Sequence, residues 1–275
     1  MPKVRIVTDS TAYITKEYAQ QHQIRVVPLS VTFSGVTKEE GFPGEFEDFY
    51  HQLQTSKDFP TTSQPSIAAF ASVYEEILAE GCEIVTIVIS EKLSGTYNSA
   101  SAAAAMTAPD KISVVDSETT VSNLKLLVNI AWELAEQGKS REEIVDTIEK
   151  EKKRMQVNLS ADTLEYLKRG GRLSAAQAAI GSLLNVKPVI GLVNGKLEAL
   201  AKARGRSKAL EYIIEHVPEN ATHITVLHIL CPDEAKQVQQ KLQAKFPNIN
   251  VEIDEIGPVI GAHLGPGGLG ICSKW

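Results

Sequence analysis

Short apolar runs alternate with amphipathic segments along the first half of the chain. Val4–Val7, Ile84–Ile89 and Lys111–Val115 are β-branched with little polar alternation, the pattern of strands covered on both faces. Ile24–Leu29 and Ser30–Phe33 read as further extended chain, with Pro28 favouring an edge or a bend. Between these runs lie helical patterns at Lys16–Gln21, Glu45–Leu53, Ile67–Leu78 and Asn123–Glu136. Ile67, Phe70, Val73, Ile77 and Leu78 recur at helical spacing; Ser66 caps that helix and Gly81 closes it. Strand–helix alternation of this kind predicts a parallel α/β sheet. Ser140–Arg154 is a charged helix with Ser140 and Glu143 in capping-box spacing. It suits an exposed connector, so a domain boundary is expected near Arg154.

The second half is punctuated differently. Gln156–Ser160 reads as a strand, Thr163–Lys168 as a helix, and Arg169-Gly170-Gly171-Arg172 breaks that helix before a small-residue helix, Ala175–Leu184. Pro188–Val193 and Lys196–Leu200 flank Asn194-Gly195, a strong two-residue hairpin signal. Ser207–His216 and Asp233–Phe246 read as helices, and Ile224–Leu230 and Ile249–Ile256 as strands. A hairpin among helices indicates a mixed, partly antiparallel sheet. The expected fold class is therefore α/β in two domains, a parallel-sheet domain over residues 1–154 and a mixed-sheet α+β domain over 155–275.

Composition narrows the functions. A net charge of −6 and a pI near 5.6 disfavour broad nucleic-acid binding. Cys82, Cys231 and Cys272 lie far apart with no C-x-x-C pair, which argues against a metal cluster and for a reducing cytoplasm. Met1-Pro2-Lys3 runs directly into the first strand, so neither a signal peptide nor membrane insertion is expected.

Candidate chemistry gathers in four places. After Ile84–Ile89 come Ser94-Gly95-Thr96 and the alanine-rich helix former Ala100–Met106, with Ser94 as the expected N-cap. That frame either is a capped helix with no ligand or sets N–H groups and hydroxyls at the carboxyl end of a buried strand, where open α/β sheets bind ligands, anions especially. Thr61, Thr62 and Ser63 lie in a loop bounded by Pro60 and Pro65 and offer further hydroxyl donors, or serve ordinary turn chemistry. Thr8-Asp9-Ser10-Thr11 is expected to end the first strand and cap the helix at Lys16, with Asp9 fixing the loop as an Asx turn. His263 sits in the glycine-dense stretch Gly257–Gly270, whose backbone can approach a ligand or another chain closely. No G-x-G-x-x-G frame surrounds it.

These pieces together resemble the DegV family, the fatty-acid-binding subunits of bacterial fatty acid kinase systems. The matching motifs, in order, are Thr8–Thr11, Thr62–Ser66, Leu93–Tyr97, Val115–Ser117, Leu164–Arg172, Lys202–Arg206 and Gly261–His263. Each is weak alone; the ordered set is specific and spans nearly the whole chain. The resemblance implies a long-chain fatty acid, roughly C14–C18, buried by its tail. Its carboxylate would be held by Thr62, Ser63, Ser94, Gly95 and His263, with the acyl pocket in the second domain. It also implies a partner kinase that phosphorylates the carboxylate, an acyltransferase of phospholipid synthesis that accepts the acyl phosphate, and docking of the kinase on Arg204 and Arg206. Left to their spacing alone, those arginines read as solvated surface charge on a turn. Tyr13, Asn123–Lys125 and Leu264 depart from common family residues. The resemblance implies no cofactor, no metal and no catalytic residue on this chain. Two other readings are a serine hydrolase using Ser94 and His263 with an acid such as Asp9, although no G-x-S-x-G elbow surrounds Ser94, and a carrier of a small polar metabolite.

Overall fold

The computed structural model describes residues 3–172 and 187–275. The chain divides into two compact units, and the second takes up Thr32–Val36 and Phe46–Thr61 besides Arg154–Trp275. A single cut near Arg154 misses those two excursions.

The first unit is built on a four-stranded parallel sheet of order β2-β1-β6-β7: β1 Val4–Asp9, β2 Arg25–Val27, β6 Glu83–Val88 and β7 Ile112–Asp116. Helices α3 (Ile67–Ala79) and α4 (Thr96–Thr107) cover one face, and α5 (Val121–Glu136) and α6 (Arg141–Glu151) contact the same strands. Phe70, Tyr74 and Ile77 of α3 pack with Ala100, Ala103 and Ala104 of α4 over Val7, Ile84 and Val88. The alanines let the two helices approach closely, which explains an alanine run beside a large aromatic pair. Ser140 and Glu143 form the expected capping box.

Helix α1 (Lys16–Gln21) is capped by Thr15, whose Oγ1 accepts the Tyr18 N–H at 3.2 Å. The Thr8–Thr11 cluster instead folds into a 3-10 turn at Ser10–Ala12. Two strands escape the hydrophobic pattern, β4 (Val36–Glu39), exposed throughout, and β5 (Thr61–Ser63), which joins β3 (Ser30–Phe33) and β4 in a three-stranded sheet. A short, polar, exposed strand leaves no periodicity to read. Helix α2 spans Glu47–Thr55.

The second unit holds a six-stranded mixed sheet of order β10-β9-β8-β13-β11-β12, in which only β11 and β12 run parallel. Its strands are β8 Met155–Ser160, β9 Lys187–Val193, β10 Lys196–Ala203, β11 His223–His228, β12 Val251–Glu255 and β13 Leu269–Lys274. The β9–β10 hairpin turns at Asn194 and Gly195, both with positive φ, as a primed turn requires. Helices α7 (Glu165–Arg169), α8 (Arg206–Glu215), α9 (Pro232–Lys245) and α10 (Pro258–Leu264) complete the unit. The small-residue helix expected at Ala175–Leu184 lies outside the described residues. The glycine-dense end conceals both α10 and β13, the latter a central strand between β8 and β11. Among the described residues, no helix is long and apolar enough to cross a membrane.

Candidate functional site

In the first unit the strand order reverses direction between β1 and β6, so the switch point of the parallel sheet lies at their carboxyl ends. Asp9 closes β1 there. One carboxylate oxygen accepts the Thr11 N–H at 2.9 Å and the Thr11 hydroxyl at 2.6 Å; the other accepts the Ile89 N–H at 2.7 Å. The expected Asx turn is present, and it also ties β1 to the chain leaving β6. Burial pushes the Asp9 carboxyl above its ordinary range, against the pull of these donors. With its oxygens engaged by Thr11 and Ile89, Asp9 orders the chain where β1 and β6 end.

The loop after β6 carries Ser94 and Gly95. Helix α4 starts one residue later than its serine suggests: Gly95 is the N-cap, and the Ser94 hydroxyl lies 2.8 Å from the Thr96 hydroxyl. Ser94 Oγ also accepts the Thr96 N–H at 3.4 Å, a weak bond. Ser94 and Gly95 are half-buried.

The second hydroxyl loop meets this one through Gln64. Its amide donates to Ser99 Oγ at 3.1 Å, and its side chain lies so close to Gly95 that a Cβ there would collide with it. Glycine at 95 is therefore demanded by close approach, not by backbone conformation, since its φ is −73°. Thr62 is half-buried and Ser63 exposed on β5, immediately ahead of Gln64, and Ser66 caps α3 by accepting the Ala69 N–H at 3.1 Å. Two stretches roughly thirty residues apart in sequence thus meet beside the start of α4.

In the second unit, His263 lies in the last turn of α10 against α7. Gly170 faces its ring so closely that a Cβ would overlap Nδ1, and Arg172 donates to the Gly170 carbonyl at 2.6 Å. Burial, helped by the Arg172 charge, lowers the His263 pKa from 6.5 to about 4. The imidazole is therefore neutral at pH 7. Tyr166 of α7 packs on Gly265 and Phe59, with ring centroids 4.9 Å apart in the latter pair, and Arg169 lies 3.9 Å over the Phe59 ring. Tyr50 of α2 donates to the Ile256 carbonyl and packs on Gly261. The glycines near His263 thus receive aromatic side chains of their own unit.

The His263 shift has a measurable consequence. Because the folded pKa lies below the unfolded one, the unfolded chain takes up a proton near pH 6.5 that the folded chain refuses until about pH 4. Stability is expected to fall across that window as pH drops, by roughly 3 kcal/mol in total, and to be unaffected above it. Urea midpoints of wild-type protein and His263→Gln between pH 7 and pH 4 check this: the variant lacks that loss, and parallel curves would contradict it.

Arg204 and Arg206 differ. Arg204 is exposed, whereas Arg206 turns inward to Glu234 at 2.8 Å and Asp162 at 2.9 Å. The expectation that both reach outward holds for Arg204; two carboxylates claim the fork of Arg206. Spacing in sequence does not reveal Asp162 or Glu234 as partners, nor Gln64, Tyr166 and Arg172 as neighbours of the candidate residues or of the glycines beside them. Among the described residues, no group of three or more His, Cys, Asp or Glu side chains is arranged to hold a metal ion.

Comparison with known proteins fits this architecture. The family model described as an uncharacterised protein of the DegV family matches residues 3–274. Protein DegV of Bacillus subtilis is 38% identical over 275 residues, 98% of each chain, and a DegV domain-containing protein of Streptomyces coelicolor is 38% identical over 274 residues, 98% of this chain and 97% of that one. The crystal structure of Bacillus subtilis DegV, a fatty acid binding protein, superposes with a TM-score of 0.89 over all of both chains. A fatty-acid-binding DegV family protein from Thermus thermophilus follows at 0.88, with 35% identity over 99% of each chain. The chain belongs to the DegV family.

Proposed function

We propose that this protein binds a long-chain fatty acid and presents its carboxylate to a partner kinase, the acyl phosphate then passing to an acyltransferase of phospholipid synthesis in the cytoplasm. The observation that carries the reading is the pairing of two hydroxyl loops, Thr62–Gln64 and Ser94–Thr96, at the switch-point edge of the parallel sheet. Fatty-acid binding by the Bacillus subtilis and Thermus thermophilus relatives supports the choice of ligand. Thr62, Ser63, Ser94 and the Gly95 backbone are assigned to the carboxylate on the first unit, and the same role is assigned to His263 on the second.

The chemistry favours such donors. Burying a ~16-carbon tail gains roughly 12 kcal/mol before ordering and association costs, so useful affinity does not require an ionic anchor. Hydroxyls, N–H groups and a neutral imidazole orient the carboxylate while leaving an oxygen nucleophilic for attack on a γ-phosphoryl group. The sequence has no G-x-x-x-x-G-K-[ST] loop, so the nucleotide is assigned to the kinase. Delipidated protein should gain thermal stability with an acid of roughly C14–C18 chain length, and no shift with any of them would refute the reading.

Kinase docking is assigned to Arg204, with Arg206 shaping the turn that presents it. Arg204→Ala should keep fatty-acid affinity while slowing acyl-phosphate formation with the cognate kinase. Higher salt should narrow that gap by screening the wild-type contact. Wild-type rates in the variant at low salt would return Arg204 to plain surface charge.

A further inference from the structure

The loop carrying Ser94 is held from both neighbouring strands by carboxylates. On the β1 side Asp9 accepts the Ile89 N–H at 2.7 Å; on the β7 side Asp116 accepts the Glu91 N–H at 3.1 Å. Between them, the N–H of fully buried Ser90 is fixed at 2.9 Å by the Thr119 carbonyl. The Ser90 carbonyl then accepts the N–H groups of Leu93 at 3.0 Å and of Ser94 at 3.1 Å. Three consecutive N–H groups are thus pinned by the strands and loops on either side. A single hydrogen bond carries that fixed point to the backbone of Ser94.

We propose that Asp9 and Asp116 are positioning residues that set the Ser94 hydroxyl for carboxylate recognition, a role that rests on the fatty-acid reading above. Neither reaches the ligand in this account. They supply order in advance, so that binding does not have to meet the entropy of ordering the loop. The two carboxylates differ in a way that makes the proposal testable. Asp116 uses the same oxygen, Oδ1, for Glu91 and for the Glu118 N–H at 3.0 Å. An asparagine there keeps an oxygen for both donors. Asp9 uses both oxygens, one for Thr11 and one for Ile89, so an asparagine must abandon one partner.

The test pairs two measurements on the full chain. The first is hydrogen exchange over residues 89–96, which needs no ligand. Asp116→Ala should speed exchange there by about tenfold while α3 is unchanged; Asp116→Asn should restore the wild-type pattern, and Asp9→Asn should not. The second is a double-mutant cycle on palmitate affinity. Asp116→Ala should weaken binding about tenfold with Ser94 present and less than about twofold in Ser94→Ala, because its effect runs through that serine. Unchanged exchange in Asp116→Ala, or losses that simply add with Ser94→Ala, would overturn the proposal. Absence of palmitate binding by wild-type protein would instead overturn the fatty-acid reading and with it the recognition role, while the exchange result would still report whether the aspartates order the loop.

Discussion

Replacing Ser94 by alanine is expected to weaken fatty-acid binding roughly ten- to hundredfold, the weight of a hydrogen bond to a charged acceptor. The fold should be indifferent to the change. Gly95, not Ser94, is the N-cap of α4, and the closest hydroxyl partner of Ser94 is Thr96, two residues away. Titration of delipidated variant with a long-chain acid, alongside a urea melt of the same preparation, separates affinity from stability. Thr62→Val and His263→Ala should move affinity in the same direction. Unaltered affinity in all three would place the anion elsewhere.

Gly265→Ala is expected to cost roughly 2–4 kcal/mol of stability, from a positive-φ, extended backbone that glycine alone adopts readily and a side-chain collision acting together. Gly265 has φ +74° at the C-cap of α10, and a Cβ would press into the Tyr166 ring. The ring belongs to α7, which packs on α10, so relief must displace α7 or the turn after His263. Gly81→Ala is the control: its φ is +78°, yet a Cβ there meets nothing within 4 Å. It should cost only about 1–2 kcal/mol, for the backbone alone. Equal urea midpoints for the two variants would show that the Tyr166 contact has no energetic weight.

The first unit was legible in the chain because its strands are buried on both faces and two of its helices, α3 and α6, carry serine caps. Val4–Val7 and Ile84–Ile89 announce β1 and β6, and the Ser140–Glu143 box announces α6. The hairpin at Asn194-Gly195 is equally local, since the turn's positive φ selects the residues. Where geometry is set by distant partners, the pattern fails. β5 is three polar residues whose strand character depends on pairing with β3. β13 and α10 hide among glycines, of which Gly261 admits Tyr50 and Gly265 both admits Tyr166 and takes a positive φ. Ser94 looks like a cap because serine before an alanine run normally is one, yet Gly95 takes that place, with Gln64 packed against it. Around the candidate residues, local contacts were readable and distant companions were not. Asp9 was recognisable as an Asx turn through Thr11, a local contact, while its bond to Ile89 spans eighty residues. Arg206 looked free because its partners, Asp162 and Glu234, come from two other segments.

The central claim is that the chain carries a fatty acid, and denaturing extraction of protein purified from bacteria, followed by lipid mass spectrometry, tests it most directly. The account predicts about one long-chain fatty acid per chain, falling sharply in Ser94→Ala prepared in the same way. Extracts without any fatty acid, or native spectra with a polar non-lipid adduct in its place, would contradict it.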